Sequence, residues 1–229
     1  MDKIPDIETR IDKIKCILNQ LYNQLYLGYC SFVLTKQIQR AFVGGLIIHI
    51  QELLKTAYFA CGNSAILFPI TLVEEGYRKE NINLNFLFRE WEDVVYTLNK
   101  IINKRHLDDA SIETLWQDQK AYLGVLHQRD DILNSISEHK QKLESLGPTL
   151  TVIKEKRDHY IAHLDKRLLQ TDRLELPVYT DDLNKIYQEL FGIVRTYYDY
   201  LDERLEIYNL ADLHQILESD FNYLMKCSS

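Results

Sequence analysis

The sequence predicts an all-α protein, a single helical-bundle domain of about six to seven helices over residues 1–229. Three observations point there. Glycine and proline number only 8 and 4 in 229 residues, whereas strand-rich folds need many turn-forming positions. Ile7, Ile11, Ile14, Leu18, Leu21 and Leu25 recur at spacings of four and three, the seam of an amphipathic helix packed on another helix. Beyond Asp181 the same pattern returns in Leu183, Ile186, Tyr187, Leu190, Phe191, Val194, Tyr197, Tyr198 and Leu201. No internal repeat, low-complexity tract or linker divides the chain.

The first seam places a helix at about 6–27, packed on the core. A second is expected from Thr35 to Ala60 with Gly44-Gly45 inside it, where paired glycines weaken a helix or admit a close neighbour. Residues 61–83, with Cys61-Gly62-Asn63-Ser64 and Pro69, read as a connection holding at most one short helix. A third helix follows at about 84–104 on Phe86, Leu87, Trp91, Val94, Val95, Leu98, Ile101 and Ile102. Leu107-Asp108-Asp109-Ala110-Ser111 offers capping residues for a long helix over about 111–146. Its apolar seam, including Leu126, Leu133, Ile136 and Leu143, is shared with Gln119, Arg129 and Lys140, so it should extend past the core into solvent. Gly147-Pro148 is expected to end it, and Thr149 or Thr151 to cap a further helix at about 150–166. Asp181-Asp182 suit the start of a helix at about 181–207, and a last one covers about 210–226.

Composition narrows the function. With 46% hydrophobic and 27% charged residues the chain reads as a globular protein. Cys16, Cys30, Cys61 and Cys227 form no CxxC pair, which argues against a zinc knuckle or disulfide framework and for a reducing cytoplasm. Asp2, Asp6 and Glu8 stand where a signal peptide would carry basic and apolar residues. The longest apolar run, Leu46-Ile47-Ile48 within 41–50, is too short for a bilayer, so no membrane role is expected. A net charge of −7 argues against broad nucleic-acid binding but leaves room for a local basic groove. Such a place exists between Lys154 and Arg173, with six Lys/Arg against four Asp/Glu.

That basic stretch holds the chain's densest chemistry. Arg157-Asp158-His159-Tyr160-Ile161-Ala162-His163 sets an arginine and a histidine six residues apart, with a polar residue after the first and a small one before the second. An arginine offers a planar, permanently charged fork to phosphate oxygens. A histidine takes and returns a proton near neutral pH. Charges at helical spacing also describe an ordinary solvated face. Glu155, His159 and His163, at i, i+4 and i+8, could alternatively ligate a metal, although no further cluster completes a tetrahedral shell. Val152, Ile153, Tyr160, Ile161 and Leu164 should bury the other side of this helix. Positions 157 and 163 lie about 120° apart around an ideal helix. They can share one phosphate only if the helix bends or unwinds, or if a second copy crosses it.

The segment from Arg157 to His163 resembles the motif of the HEPN superfamily (higher eukaryotes and prokaryotes nucleotide-binding domains): arginine, polar residue, four to six intervening positions, histidine. The longer string, Arg157-Asp158 and then Ala162-His163-Leu164-Asp165, looks like the AbiU-type branch associated with phage abortive infection. The order of helices over roughly residues 35–225 fits as well. The resemblance implies metal-independent RNA cleavage by a homodimer, without a cofactor, in phage defence or as a toxin. It equally admits catalytically silent binding of RNA or a partner protein in the same groove, because the superfamily holds both. By carry-over Arg157 would hold the scissile phosphate, His163 would exchange the proton of the 2′-OH or the leaving oxygen, and Asp158 would orient one of them. Lys154, Lys156, His159, Lys166 and Arg167 would contact the RNA backbone. An antitoxin or defence-system partner is a further implied possibility. Many superfamily toxins paired with a nucleotidyltransferase antitoxin carry a tyrosine two residues after the histidine; Asp165 stands there in this chain, a departure from the pattern.

The other histidines carry less. His49, in an apolar stretch, reads as a core or rim residue, and His106, His127, His139 and His214 as surface residues. Tyr197, Tyr198 and Tyr200 could stack on bases, but their helical spacing favours core and rim.

Overall fold

The computed structural model describes residues 7–43, 51–74, 82–105, 120–167, 180–201 and 210–227. Among these there are seven helices and no strand: α1 (Ile7–Val43), α2 (Gln51–Val73), α3 (Leu84–Arg105), α4 (Lys120–His127), α5 (Arg129–Arg167), α6 (Thr180–Asp199) and α7 (Leu210–Cys227). The all-α architecture is as the sequence predicts. The chain divides into two compact units. The first takes Met1–Tyr22, Leu72–Ser145 and Phe191–Glu206; the second takes Asn23–Thr71, Leu146–Leu190 and Ile207–Ser229.

Several helices are longer than their local sequence suggests. The expected 6–27 helix continues to Val43, because Tyr29, Phe32 and Val33 extend the buried seam through the stretch expected to separate two helices. Thr35 does not cap a new helix there; its hydroxyl donates back to the Ser31 carbonyl at 2.6 Å. Residues 61–73, expected as a connection, are the second half of α2. The Ser64 hydroxyl donates to the Ala60 carbonyl at 3.0 Å, and Ala65, Ile66 and Ile70 are buried. By composition α2 contains one segment long and apolar enough to cross a membrane, Leu54–Val73 with mean hydropathy 1.4. Here its Leu54, Tyr58, Ala65, Ile66, Ile70 and Leu72 are core residues.

Gly147-Pro148 does not end a helix either. α5 runs from Arg129 to Arg167, so the expected 150–166 helix is its C-terminal part. Pro148 removes the amide that would bond the Glu144 carbonyl, but both residues are exposed, so water can serve that carbonyl. On the opposite side the buried seam passes without a break through Leu143, Leu146, Leu150 and Ile153. The Thr151 hydroxyl bonds the Gly147 carbonyl at 2.9 Å instead of capping a helix start. The seam keeps the expected Leu126, Ile136 and Leu143, all buried, but Ile132 and His139 take the places expected of their neighbours: Leu133 is 38% exposed and Lys140 is half-exposed. The expected caps at 107–111 fall outside the described residues.

α3 matches expectation closely, and Asn83 explains its start. Asn83 Oδ1 accepts from the Phe86 amide at 2.8 Å, an N-cap bond. Its Nδ2 donates to the Glu74 carbonyl at 2.9 Å, tying the end of α2 to the start of α3.

In the first unit Trp91 is fully buried, its ring 6.2 Å from Tyr197 and 6.3 Å from Tyr200. Tyr22 meets Phe191 and Tyr198 edge-on at 6.0 and 6.5 Å, and the Tyr198 hydroxyl donates to Asn19 Oδ1 at 2.9 Å. In the second unit Phe221 of α7 completes a cluster with Ile38, Ala41, Leu54 and Tyr58. Beside it Glu218 accepts from Gln37 Nε2 at 2.6 Å and from Arg40 at 2.7 Å, with His214 Nε2 at 3.4 Å. Those bonds, the one from Gln37 foremost, hold the Glu218 carboxyl below its ordinary pKa.

A third feature of the second unit joins three helices at one point. Pro69 has no amide hydrogen for the Ala65 carbonyl, one turn earlier in α2. The buried Tyr187 hydroxyl of α6 donates to that carbonyl at 2.7 Å. It reaches the carbonyl past Gly28 of α1, where a Cβ would collide with the hydroxyl and stand 2.9 Å from Phe68 Cβ. Gly28 is therefore required by close approach rather than by a turn.

Candidate functional site

All eight residues singled out by the motif lie on about the last four turns of α5, which is helical through Arg167. Their backbone register follows from the seam before them. Leu143, Leu146, Leu150 and Ile153 are buried at spacings of three and four, and position 157 continues that series one turn beyond Ile153. Position 163 instead shares a register with Val152, three turns earlier on the helix, which is 46% exposed. Val152, expected to be buried, is thus on the open side. Among the described side chains, Asp158 and Glu155 are exposed and Lys154 is half-buried. The side chains of Lys156, Arg157, His159, His163, Lys166 and Arg167 lie outside the described part of the structure, as do those of Tyr160, Ile161 and Leu164.

One chain therefore sets the arginine and histidine positions on different sides of an unbroken helix, six residues and about 9 Å of rise apart. The unwinding that would let one helix present both to a phosphate is absent, since the helix is continuous from Arg129 to Arg167. Among the described residues no group of three or more His, Cys, Asp and Glu is placed to hold a metal. The Glu155–His159–His163 stripe has only its first side chain in that set.

The structure gathers other titratable side chains that the sequence reading assigned elsewhere. His139, expected on the surface, is 7% exposed in the first unit. Its Nδ1 lies 3.1 Å from the Tyr197 hydroxyl. The spacing of His139 from Ile136 and Leu143 was the available signal, since three and four residues are the seam's own intervals. His127 is exposed, His214 is half-buried beside Glu218, and His49 and His106 fall outside the described residues. Tyr197 and Tyr198 are core and Tyr200 is half-buried, its hydroxyl within 2.7 Å of Ser135 Oγ and donating to the Asp131 carbonyl at 3.1 Å. Stacking on bases is not open to the two buried rings. Burial raises the Tyr197 phenol far above its ordinary value, so it is a neutral hydroxyl throughout the physiological range. No protein-family model, curated protein or solved structure matches the chain.

Proposed function

We propose that this chain is a metal-independent endoribonuclease of the HEPN type, acting in the cytoplasm in phage defence or as a toxin. The observation that carries the reading is the motif from Arg157 to His163, set on one continuous helix of an all-helical chain. Arg157 grips the scissile phosphate and the charge that grows on it. His163 moves the proton as the 2′-oxygen attacks phosphorus and the bond to the 5′-oxygen breaks, leaving a 2′,3′-cyclic phosphate and a 5′-hydroxyl. Asp158 orients one of the pair, while Lys154, Lys156, His159, Lys166 and Arg167 hold the backbone on either side. The register of positions 157 and 163 supports a symmetric homodimer in which two α5 ends cross and each phosphate meets groups from both chains. Pairing also doubles the local basic excess of residues 154–173 on an acidic protein. An antitoxin or defence partner that covers this groove would hold the activity in check.

The purified chain, incubated with total RNA in EDTA, is expected to release fragments ending in 2′,3′-cyclic phosphate. Light scattering should give about twice the 27.1 kDa chain mass. Cleavage lost in chelator and restored by zinc or manganese overturns the metal-independent mechanism in favour of the Glu155–His159–His163 stripe. RNA bound and never cut, by a dimer with both motif residues intact, makes the protein a non-catalytic binding module instead.

A further inference from the structure

We propose that His139 makes the core of the first unit an acid-sensitive switch, in which a proton taken up by the imidazole loosens the packing of α5 against α3 and α6. This rests on the packing around His139 and not on the ribonuclease reading.

The imidazole is enclosed mainly by rings. It stacks on Phe88 of α3 at 6.4 Å and 22°, and meets Tyr197 of α6 nearly edge-on at 5.5 Å and 68°. Tyr197 in turn lies 5.6 Å from Phe88, 6.2 Å from Trp91 and 6.1 Å from Tyr200. In the neutral state Nδ1 and the Tyr197 hydroxyl, 3.1 Å apart, can share a hydrogen bond in either direction according to the tautomer, so a ring with 7% exposure keeps a partner. Once protonated, both ring nitrogens donate. The Tyr197 hydroxyl can then only accept from Nδ1, and the new charge sits among the rings of Phe88 and Tyr197.

Among the described residues no carboxylate pairs directly with the ring, whose hydrogen-bond partner is the Tyr197 hydroxyl. From α3, Glu92 is engaged by Lys140 at 2.6 Å, Phe88 is apolar, and the buried Trp91 Nε1 is itself a donor without an acceptor. Tyr197 of α6 and Tyr200 just after its end offer only hydroxyls, and the latter already bonds Ser135 and Asp131. On α5 itself, Lys142 opposes a second positive charge and Glu138 favours it, both from exposed positions. Burial, followed by Lys142, outweighs Glu138 and lowers the His139 pKa below the ordinary 6.5. The unfolded chain thus takes a proton near pH 6.5 that the folded chain declines. The first unit keeps its full stability above that pH and loses stability progressively as the pH falls toward the lowered folded value.

The test compares the full-length wild type with His139→Gln, which keeps a polar side chain but does not titrate. Urea midpoints are read at pH 7.5 and 5.5, alongside hydrogen-exchange protection of residues 129–145 and 191–199. The wild type should lose midpoint and protection on acidification, and the variant should lose clearly less of both. Equal losses in the two proteins overturn the proposal. If the variant fails to fold, NMR titration of the assigned His139 ring in the wild type decides: a midpoint below 6.5 supports the switch, and one at or above 6.5 overturns it.

Discussion

Gly28→Ala should destabilise the protein by about 2–3 kcal/mol, although alanine is the better helix former. The gain in helix propensity is about 1 kcal/mol, whereas overpacking costs about 1–3 kcal/mol and a buried carbonyl left unbonded costs about as much again. The methyl would meet Phe68 and the Tyr187 hydroxyl. Displacing that hydroxyl uncovers the Ala65 carbonyl, to which Pro69 cannot donate. Tyr187→Phe removes the same bond without adding volume and should cost about 1–3 kcal/mol. The two changes share one cause, so the double variant should be less destabilised than the sum of the singles. Urea denaturation of the four proteins measures this. Strict additivity within about 0.5 kcal/mol would mean that Gly28 and Tyr187 act independently, against the contact described.

Arg157→Ala and His163→Ala should each lower RNA cleavage by at least about a hundredfold while shifting stability by no more than about 1–2 kcal/mol. Arg157→Lys sharpens the distinction. It keeps the charge and most of the stem at a position in line with the buried seam, so folding should be spared, yet a point charge cannot replace the two-pronged grip on phosphate. Cleavage rates and urea midpoints of the three variants decide the matter. Full activity or loss of folding in either alanine variant removes the support for the catalytic assignment.

The elements that were legible in the sequence are those whose amphipathic stripe lies between good local signals. α3 is the clearest: the structure buries its stripe from Leu84 to Leu98 and adds Asn83 as the cap. The second half of α2 and the middle of α5 were not legible, because Pro69 and Gly147-Pro148 are strong local breakers. What overrides them is distant or collective. For Pro69 it is a hydroxyl from residue 187; for Pro148 it is an exposed carbonyl that water can reach, combined with a seam that continues on the other side. The motif from Arg157 to His163 is a pattern of residue types and spacing that the sequence displays directly, whereas the unbroken course of α5 beneath it was not legible.

The bond between Tyr187 and Ala65 also sets an order of events during synthesis. Its two ends are separated by 122 residues. At about 5–20 residues per second, residue 187 follows residue 65 by roughly 6–24 s. Throughout that interval the nascent chain carries residues 56–73, which include no Asp, Glu, Lys or Arg, without the α6 side chain that secures the helix beyond its proline. The newborn protein is most prone to aggregate in this window, and a holdase that grips uncharged segments would raise its yield.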